Sequence, residues 1–244
     1  MMPKHRRRLG IVLPMVLELL ERTSGLEGPK YVQIGANDGV TADPIYPYAR
    51  TGRWRGLLIE PAPLYYERLK QLYAANPKIS TLNLGISDEP GEMELHYLAP
   101  QFEDKFPQWA RGCASLQRET ALASLTTIPI FEDHMVISTR VRLERLDHVG
   151  AEHTVFDADL MLVDVEGHER KVFESFDFAL FRPKVVYFES KHMPENDRQA
   201  IKRRLQKAGY ELFQLPADIL AVQSHWMPPS FRIVFAELGA RSVG

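Results

Sequence analysis

An α/β chain with a doubly wound, mostly parallel sheet and helices on both faces is predicted by three observations. Short apolar runs alternate with helix-period segments from Lys30 onward, several of these runs end in glycine or a carboxylate, and turn chemistry separates the units. The length of 244 residues fits one large domain. Apolar residues at 45% and charged residues at 25% exclude collagen-like, disordered and coiled-coil chains. The net charge of -2 gives no global electrostatic case for nucleic acid or an anionic membrane.

Residues 1–29 read as an N-terminal helical extension. The basic run Lys4 to Arg8 followed by Leu9 to Leu20 resembles a signal peptide superficially, but Pro14 and Glu18 interrupt it. It is also shorter than the roughly 20 apolar residues a membrane span needs, so no stable membrane anchor is expected. Leu13, Val16, Leu17 and Leu20 fall on one face of an amphipathic helix. The single cysteine, Cys113, allows no intrachain disulfide, which fits a reducing compartment and a cytoplasmic address.

The main domain, 30–244, opens with a strand ending at Gly35 and a helix from about Asp43 to Thr51. Gly56 to Glu60 is the second strand, stopped by Pro61, and Leu64 to Asn76 the second helix, with Leu64, Leu69, Leu72 and Tyr73 available for burial. Ser80 to Ser87 is the third strand. Asp88-Glu-Pro-Gly91 is turn chemistry, and Glu92 to Leu98 alternates as an antiparallel strand does. Ala99 to Ile130 lacks a sustained period and is long for a connection, which marks it as a substrate-side loop, with a short helix within Ser115 to Leu125. A strand at Met135 to Arg142 and a brief helix at Leu143 to Val149 follow. Asp159 to Asp164 and Lys184 to Glu189 are apolar strands ending in carboxylates, the first of them leading into a helix through about Phe178. Asn196 to Ala208 is a helix stopped by Gly209, and Tyr210 to Leu215 and Ile219 to Gln223 are the last strands.

In such a sheet, ligands bind beyond the carboxyl ends of the strands, where strand order reverses. Those ends present Gly35-Ala36-Asn37-Asp38-Gly39, Glu60, Ser87-Asp88, Asp164-Val-Glu166-Gly-His168 and Glu189. A dinucleotide site prefers Gly-x-Gly-x-x-Gly, but Asn37 holds the second glycine position and Asp38 adds negative charge, so a diphosphate is disfavoured. No Gly-Lys-Ser/Thr follows, which disfavours a P-loop still more. A cationic ligand lacking phosphate suits the acidic set, and Glu60 is placed to hold a ribose diol. S-adenosyl-L-methionine is such a ligand.

QIGANDGVT, LIEP, LGISDEPGEMEL and LVDVEGHE, in this order, make the chain from about Lys30 to Gln223 resemble the FkbM family of S-adenosylmethionine-dependent methyltransferases. The resemblance implies a class I methyltransferase (Rossmann-like) fold, a seven-stranded sheet with an antiparallel last strand, and O-methylation of a hydroxyl on a sugar or natural product. It makes 30–244 a methyltransferase domain carrying the 99–130 insertion. One departure is Gln33, where such families often carry an acid, so Asp38 or Asp164 is expected to meet the methionine ammonium.

The expected cofactor set is Gln33, Gly35, Ala36, Asn37, Asp38 and Gly39 on the methionine side, and Glu60 with Pro61 at the ribose. Ile86, Ser87 and Asp88 are expected at the adenine, and Asp164 at a ligand cation. His168 is the natural general base by its ordinary pKa, with Glu166 or Glu189 orienting or replacing it, and His192 a weaker candidate. Asp164, Glu166, His168 and Glu189 would also suit a divalent cation chemically, although no metal is assigned. Phe102, Phe106, Trp109, Arg111 and Ser115 are candidates for a wall closing over the acceptor, as alternatives to packing residues. Arg111, Arg118 and Arg140 would suit an anionic acceptor or a solvated face. The expected partner is a small-molecule acceptor, a carbohydrate or natural product, with no nucleic acid. N-methylation of an amino sugar or peptide, a non-catalytic binding module and a nicotinamide oxidoreductase are the competing functions.

Overall fold

A computed structural model describes residues 10–243, so the basic run Lys4 to Arg8 lies outside the described residues. In chain order the helices and strands are α1 (Val12–Thr23), β1 (Lys30–Ile34), α2 (Tyr46–Ala49), β2 (Arg55–Ile59), α3 (Pro63–Tyr73), β3 (Ile79–Leu82), β4 (Gly85–Ile86), β5 (Gly91–Leu98), α4 (Arg118–Leu125) and β6 (Val136–Glu144). They continue as α5 (Leu146–Glu152), β7 (Leu160–Val163), α6 (Glu169–Glu174), β8 (Val185–Glu189), α7 (Glu195–Lys207), β9 (Tyr210–Gln214), β10 (Asp218–Gln223), α8 (Pro229–Leu238) and β11 (Arg241–Ser242).

The main sheet runs β3-β2-β1-β7-β8-β10-β9-β11. β1, β2, β3, β7 and β8 pair in parallel, and β10 inserts antiparallel between β8 and β9. These are the seven strands expected of the class I methyltransferase fold, with two-residue β11 adding an edge strand to β9. The chain winds outward from β1 to β3, then returns to β7 on the other side of β1. The topological switch point therefore lies between β1 and β7.

Burial on both faces explains why the central strands read as continuous apolar runs. On one face, Leu146 and Val149 of α5, Val172 and Phe173 of α6, and Ile201 and Leu205 of α7 pack on Val32, Ile34, Met161, Val163, Val186 and Phe188. On the other, Leu69 and Tyr73 of α3 and Phe235 of α8 join Tyr31, Leu58, Leu160 and Leu220. The α1 residues Leu13, Val16, Leu17 and Leu20 are all buried within this second layer, beside Trp54.

Three expectations are corrected. Ser80 to Ser87 is not one strand: β3 ends at Leu82, and the chain leaves the sheet to form β4, which pairs parallel with β6 in a separate three-stranded sheet, β4-β6-β5. Asn83 marks the departure, its Nδ2 donating to the carbonyls of Glu60 and Pro61 at 2.9 and 3.0 Å. The helix expected over Asp43 to Thr51 shrinks to Tyr46–Ala49, and Leu72 faces solvent rather than the core. α8, between the last expected strand and the C-terminus, has no counterpart among the sequence expectations.

The 99–130 segment is a small structured unit. Phe106, Ala110, Cys113 and Leu125 bury together with Leu98 and Met135, and Phe102 packs against them. No helix among the described residues is long and apolar enough to cross a membrane.

Candidate functional site

The switch point opens into a cavity of about 490 Å³, within the ordinary range of small-molecule sites. Its floor is the junction of β1 and β7. The Asp164 N–H donates to the Ile34 carbonyl at 2.9 Å, and a Cβ at Gly35 would lie 1.8 Å from the Asp164 carbonyl oxygen. Gly35 has φ +82° as well, so both conformation and space require glycine there. The Gly35 and Ala36 N–H groups donate to Ile59 O at 2.9 and 3.1 Å, which turns the loop over the end of β2.

Glu60 organises the next wall. Its Oε2 accepts the Asn37 N–H and its Oε1 the Ala62 N–H, each at 2.8 Å. Burial pushes its carboxyl up to about 7, against the lowering effect of those two bonds. Each carboxylate oxygen keeps a second lone pair for a further donor. Asn37, at φ +49°, also donates through Nδ2 to the Arg111 carbonyl at 2.9 Å and so ties the glycine loop to the 99–130 segment.

Asp164 is exposed to the water of the cavity it lines, whose walls partly desolvate its carboxyl. Its carboxyl is raised to about 7 by this desolvation, with Glu169 and Asp218 adding to the rise. Beyond it, His192 Nε2 lies 3.4 Å from Glu166 Oε2 and 3.7 Å from Glu189 Oε1. Desolvation raises both glutamates, and the charge of Glu166 raises Glu189 further. Burial and the Lys191 charge lower His192. Six carboxylates line the cavity, those of Asp43, Glu60, Asp164, Glu166, Glu189 and Asp218, and Lys191 is the only lysine or arginine among its lining residues.

The sequence matches the methyltransferase FkbM domain over residues 33–212. The chain belongs to this FkbM methyltransferase family. A crystal structure of the FkbM methyltransferase from Methylobacillus flagellatus superposes with a TM-score of 0.50 at 13% identity, covering 91% of this chain and 56% of that one. The chain therefore spans little more than half of that protein. Aeropyrum pernix fibrillarin with natively bound S-adenosyl-L-methionine aligns at 15% identity and a TM-score of 0.39, covering 86% and 74% of the two chains. A caffeoyl-CoA O-methyltransferase assignment from Staphylococcus aureus aligns at 11% and 0.42, covering 88% and 83%. Among curated proteins, none matches the sequence.

In this FkbM-family chain, Gln33, Gly35, Ala36, Asn37, Glu60, Pro61, Ile86, Asp164, Glu166, His168 and Glu189 all line the one cavity. Four expected residues do not. Both oxygens of Asp38 hold the turn, accepting the Val40 N–H at 3.0 Å, the Thr41 N–H at 2.7 Å and the Thr41 hydroxyl at 2.8 Å. Gly39 abuts the α3 side chains Leu69, Leu72 and Tyr73. Ser87 is buried against His168, with Oγ 3.1 Å from Nε2, and Asp88 pairs with Lys171 Nζ at 2.7 Å outside the cavity. That ion pair holds Asp88 below the usual carboxylate range. Burial lowers His168, and its Nε2 is engaged by Ser87, so His192 rather than His168 stands between the two glutamates.

The 99–130 candidates also separate. Trp109 lines the cavity, whereas Ser115 is buried and donates through Oγ to the Glu166 carbonyl at 2.7 Å, holding that loop from behind. Arg111, Arg118 and Arg140 face Glu103, Asp133 and Glu92 respectively and do not converge.

Asp43, Tyr187 and Asp218 line the cavity without having been expected there, Tyr187 donating its hydroxyl to Asp218 Oδ2 at 2.6 Å. The signal for Asp218 is topological: an antiparallel strand brings its first residue to the edge where the parallel strands end, and Asp218 pairs in register with Glu189.

Proposed function

We propose that this FkbM-family chain is an S-adenosylmethionine-dependent O-methyltransferase acting on a hydroxyl of a small molecule, a carbohydrate or natural product. The observation that carries the reading is the six-to-one excess of carboxylates over lysine or arginine around the switch-point cavity. Such a cavity attracts a sulfonium and an ammonium and repels a diphosphate. The donor set also fits the cofactor through its spare acceptors: Gln33 Oε1 and Asp43 Oδ2 are buried without hydrogen-bond partners.

In this reading the Glu60 carboxylate accepts the ribose hydroxyls, the Gly35–Asn37 loop lets the backbone approach closely, and Asp164 and Asp43 meet the methionine ammonium. Ile86 borders the adenine. The cofactor, when bound, supplies a methyl group on a positively charged sulfur. The chain's own contribution is to hold the acceptor hydroxyl in line with that group at near-attack distance. The hydroxyl proton passes to the Glu166–Glu189–His192 cluster, in which desolvation makes the carboxylates better bases than in water.

The test is incubation with methyl-labelled S-adenosylmethionine and a panel of sugars, polyols, phenols and amino sugars. Label in an ether-linked product that falls at least about a hundredfold in Glu189→Gln supports the reading. Label found only on nitrogen, or turnover unchanged in Glu189→Gln and His192→Ala alike, overturns it.

A further inference from the structure

The acceptor end of the cavity holds a donor set of a second kind. Glu166, Glu189 and His192 each offer one atom to a common point, and those three atoms lie within 4.8 Å of one another. The two nitrogen–oxygen separations are 3.4 and 3.7 Å. A first-row divalent ion with ligand bonds of about 2.1 Å sets adjacent ligand atoms about 3 Å apart, so small side-chain rotations close the set on one ion.

Three features distinguish the cluster from a surface group of acids. Its members come from different places, Glu166 from the loop before α6, Glu189 from the end of β8 and His192 from the turn after it. The Glu189 side chain is 11% exposed and its Oε2 is buried with no hydrogen-bond partner. Two carboxylates and an imidazole share this space, and no lysine or arginine makes an ion pair with either glutamate among the described residues, where Ser115 and the β8 backbone fix both glutamates from behind.

We propose that Glu166, Glu189 and His192 bind a divalent cation of the manganese class, with the acceptor's oxygen completing the coordination. Carboxylate oxygen favours hard ions such as Mg²⁺ and Mn²⁺, and the imidazole shifts the preference toward transition metals. The cation offsets two neighbouring negative charges. Bound to it, an acceptor hydroxyl is oriented and more acidic, and its proton passes to a Glu166 or Glu189 oxygen that the cation leaves free. This role rests on the O-methyltransferase reading, whereas the binding site itself does not.

Mn²⁺ alone, added to the full chain without cofactor, is followed by the electron paramagnetic resonance of the free ion. One site per chain is expected, weakened about tenfold or more in Glu189→Gln and in His192→Gln and unchanged in Asp88→Asn, which lies outside the cavity. Electron spin-echo modulation of the wild-type complex should carry a nitrogen coupling, a readout that needs no variant to fold. No site tighter than about 1 mM, a site indifferent to Glu189 and His192, or a complex lacking nitrogen coupling overturns the proposal. Because no cofactor is present, any of these results leaves the methyl-donor reading standing. That reading fails separately, if S-adenosylhomocysteine does not bind.

Discussion

Replacing Gly35 with alanine tests the geometry on which the cavity floor depends. Two costs arise: the residue sits at φ +82°, and the new Cβ would fall 1.8 Å from the Asp164 carbonyl oxygen and 2.8 Å from its carbon. The left-handed conformation costs a residue with a Cβ roughly 1–2 kcal/mol. The collision is with backbone of the neighbouring strand rather than with a flexible side-chain end, so the ends of β1 and β7 must part, an overpacking cost of roughly 1–3 kcal/mol. Gly52 supplies the control, because it has φ +74° and nothing within 4 Å of its Cβ position. Gly52→Ala therefore bears the conformational cost alone. At roughly 2–4 °C per kcal/mol for a chain of this size, Gly35→Ala should melt at least about 2–4 °C below Gly52→Ala. Its melting point should also respond less to S-adenosylhomocysteine than that of the wild type. Equal melting points for the two variants would refute the close approach of β1 to β7.

Further outcomes follow from other residues. Glu60 is ordinarily half-protonated near 4.5 and is raised to about 7 in the folded chain. Between those values the folded state holds the extra proton, so its contribution lowers stability as pH rises from 4.5 to 7, by about 3 kcal/mol over roughly 2.5 units. Urea titrations should show that slope flattened in Glu60→Gln, and parallel pH profiles for the two proteins would contradict it. Leu17→Ala should cost roughly 2–5 kcal/mol by the same method, since the side chain is 1% exposed; a loss under about 0.5 kcal/mol would mean that α1 is not part of the core. Ser115→Ala removes the bond to the Glu166 carbonyl and should cost about 1–2 kcal/mol. It should depress turnover more than S-adenosylhomocysteine affinity, and an affinity loss equal to the turnover loss would place its effect on the cofactor half instead.

The sheet was legible because parallel strands buried on both faces leave uninterrupted apolar runs, and because these runs end in residues that pay for their polarity only at a binding edge. Gly35, Glu60, Asp164 and Glu189 announced that edge directly. Ser87 and Asp88 misled because continuity of the apolar pattern through Leu84 and Ile86 concealed the change from the main sheet to β4, which depends on pairing with β6 more than fifty residues later. Asp38 misled for a local reason: an Asx turn and a ligand carboxylate place the same residue in the same loop. His168 and His192 are indistinguishable by residue type, and only the fold commits one to Ser87 and sets the other between two glutamates. Asp218 was hidden because it begins its strand, and only the antiparallel insertion of β10 carries it to the site.

The central claim is that the acidic switch-point cavity binds the adenosyl cofactor, and calorimetric titration with S-adenosylhomocysteine tests it most directly, with NAD in parallel. The account predicts one S-adenosylhomocysteine per chain, weakened about tenfold or more by Glu60→Gln, which corresponds to about 1.4 kcal/mol, and no binding of NAD. Binding of NAD, or S-adenosylhomocysteine affinity indifferent to Glu60, would contradict it.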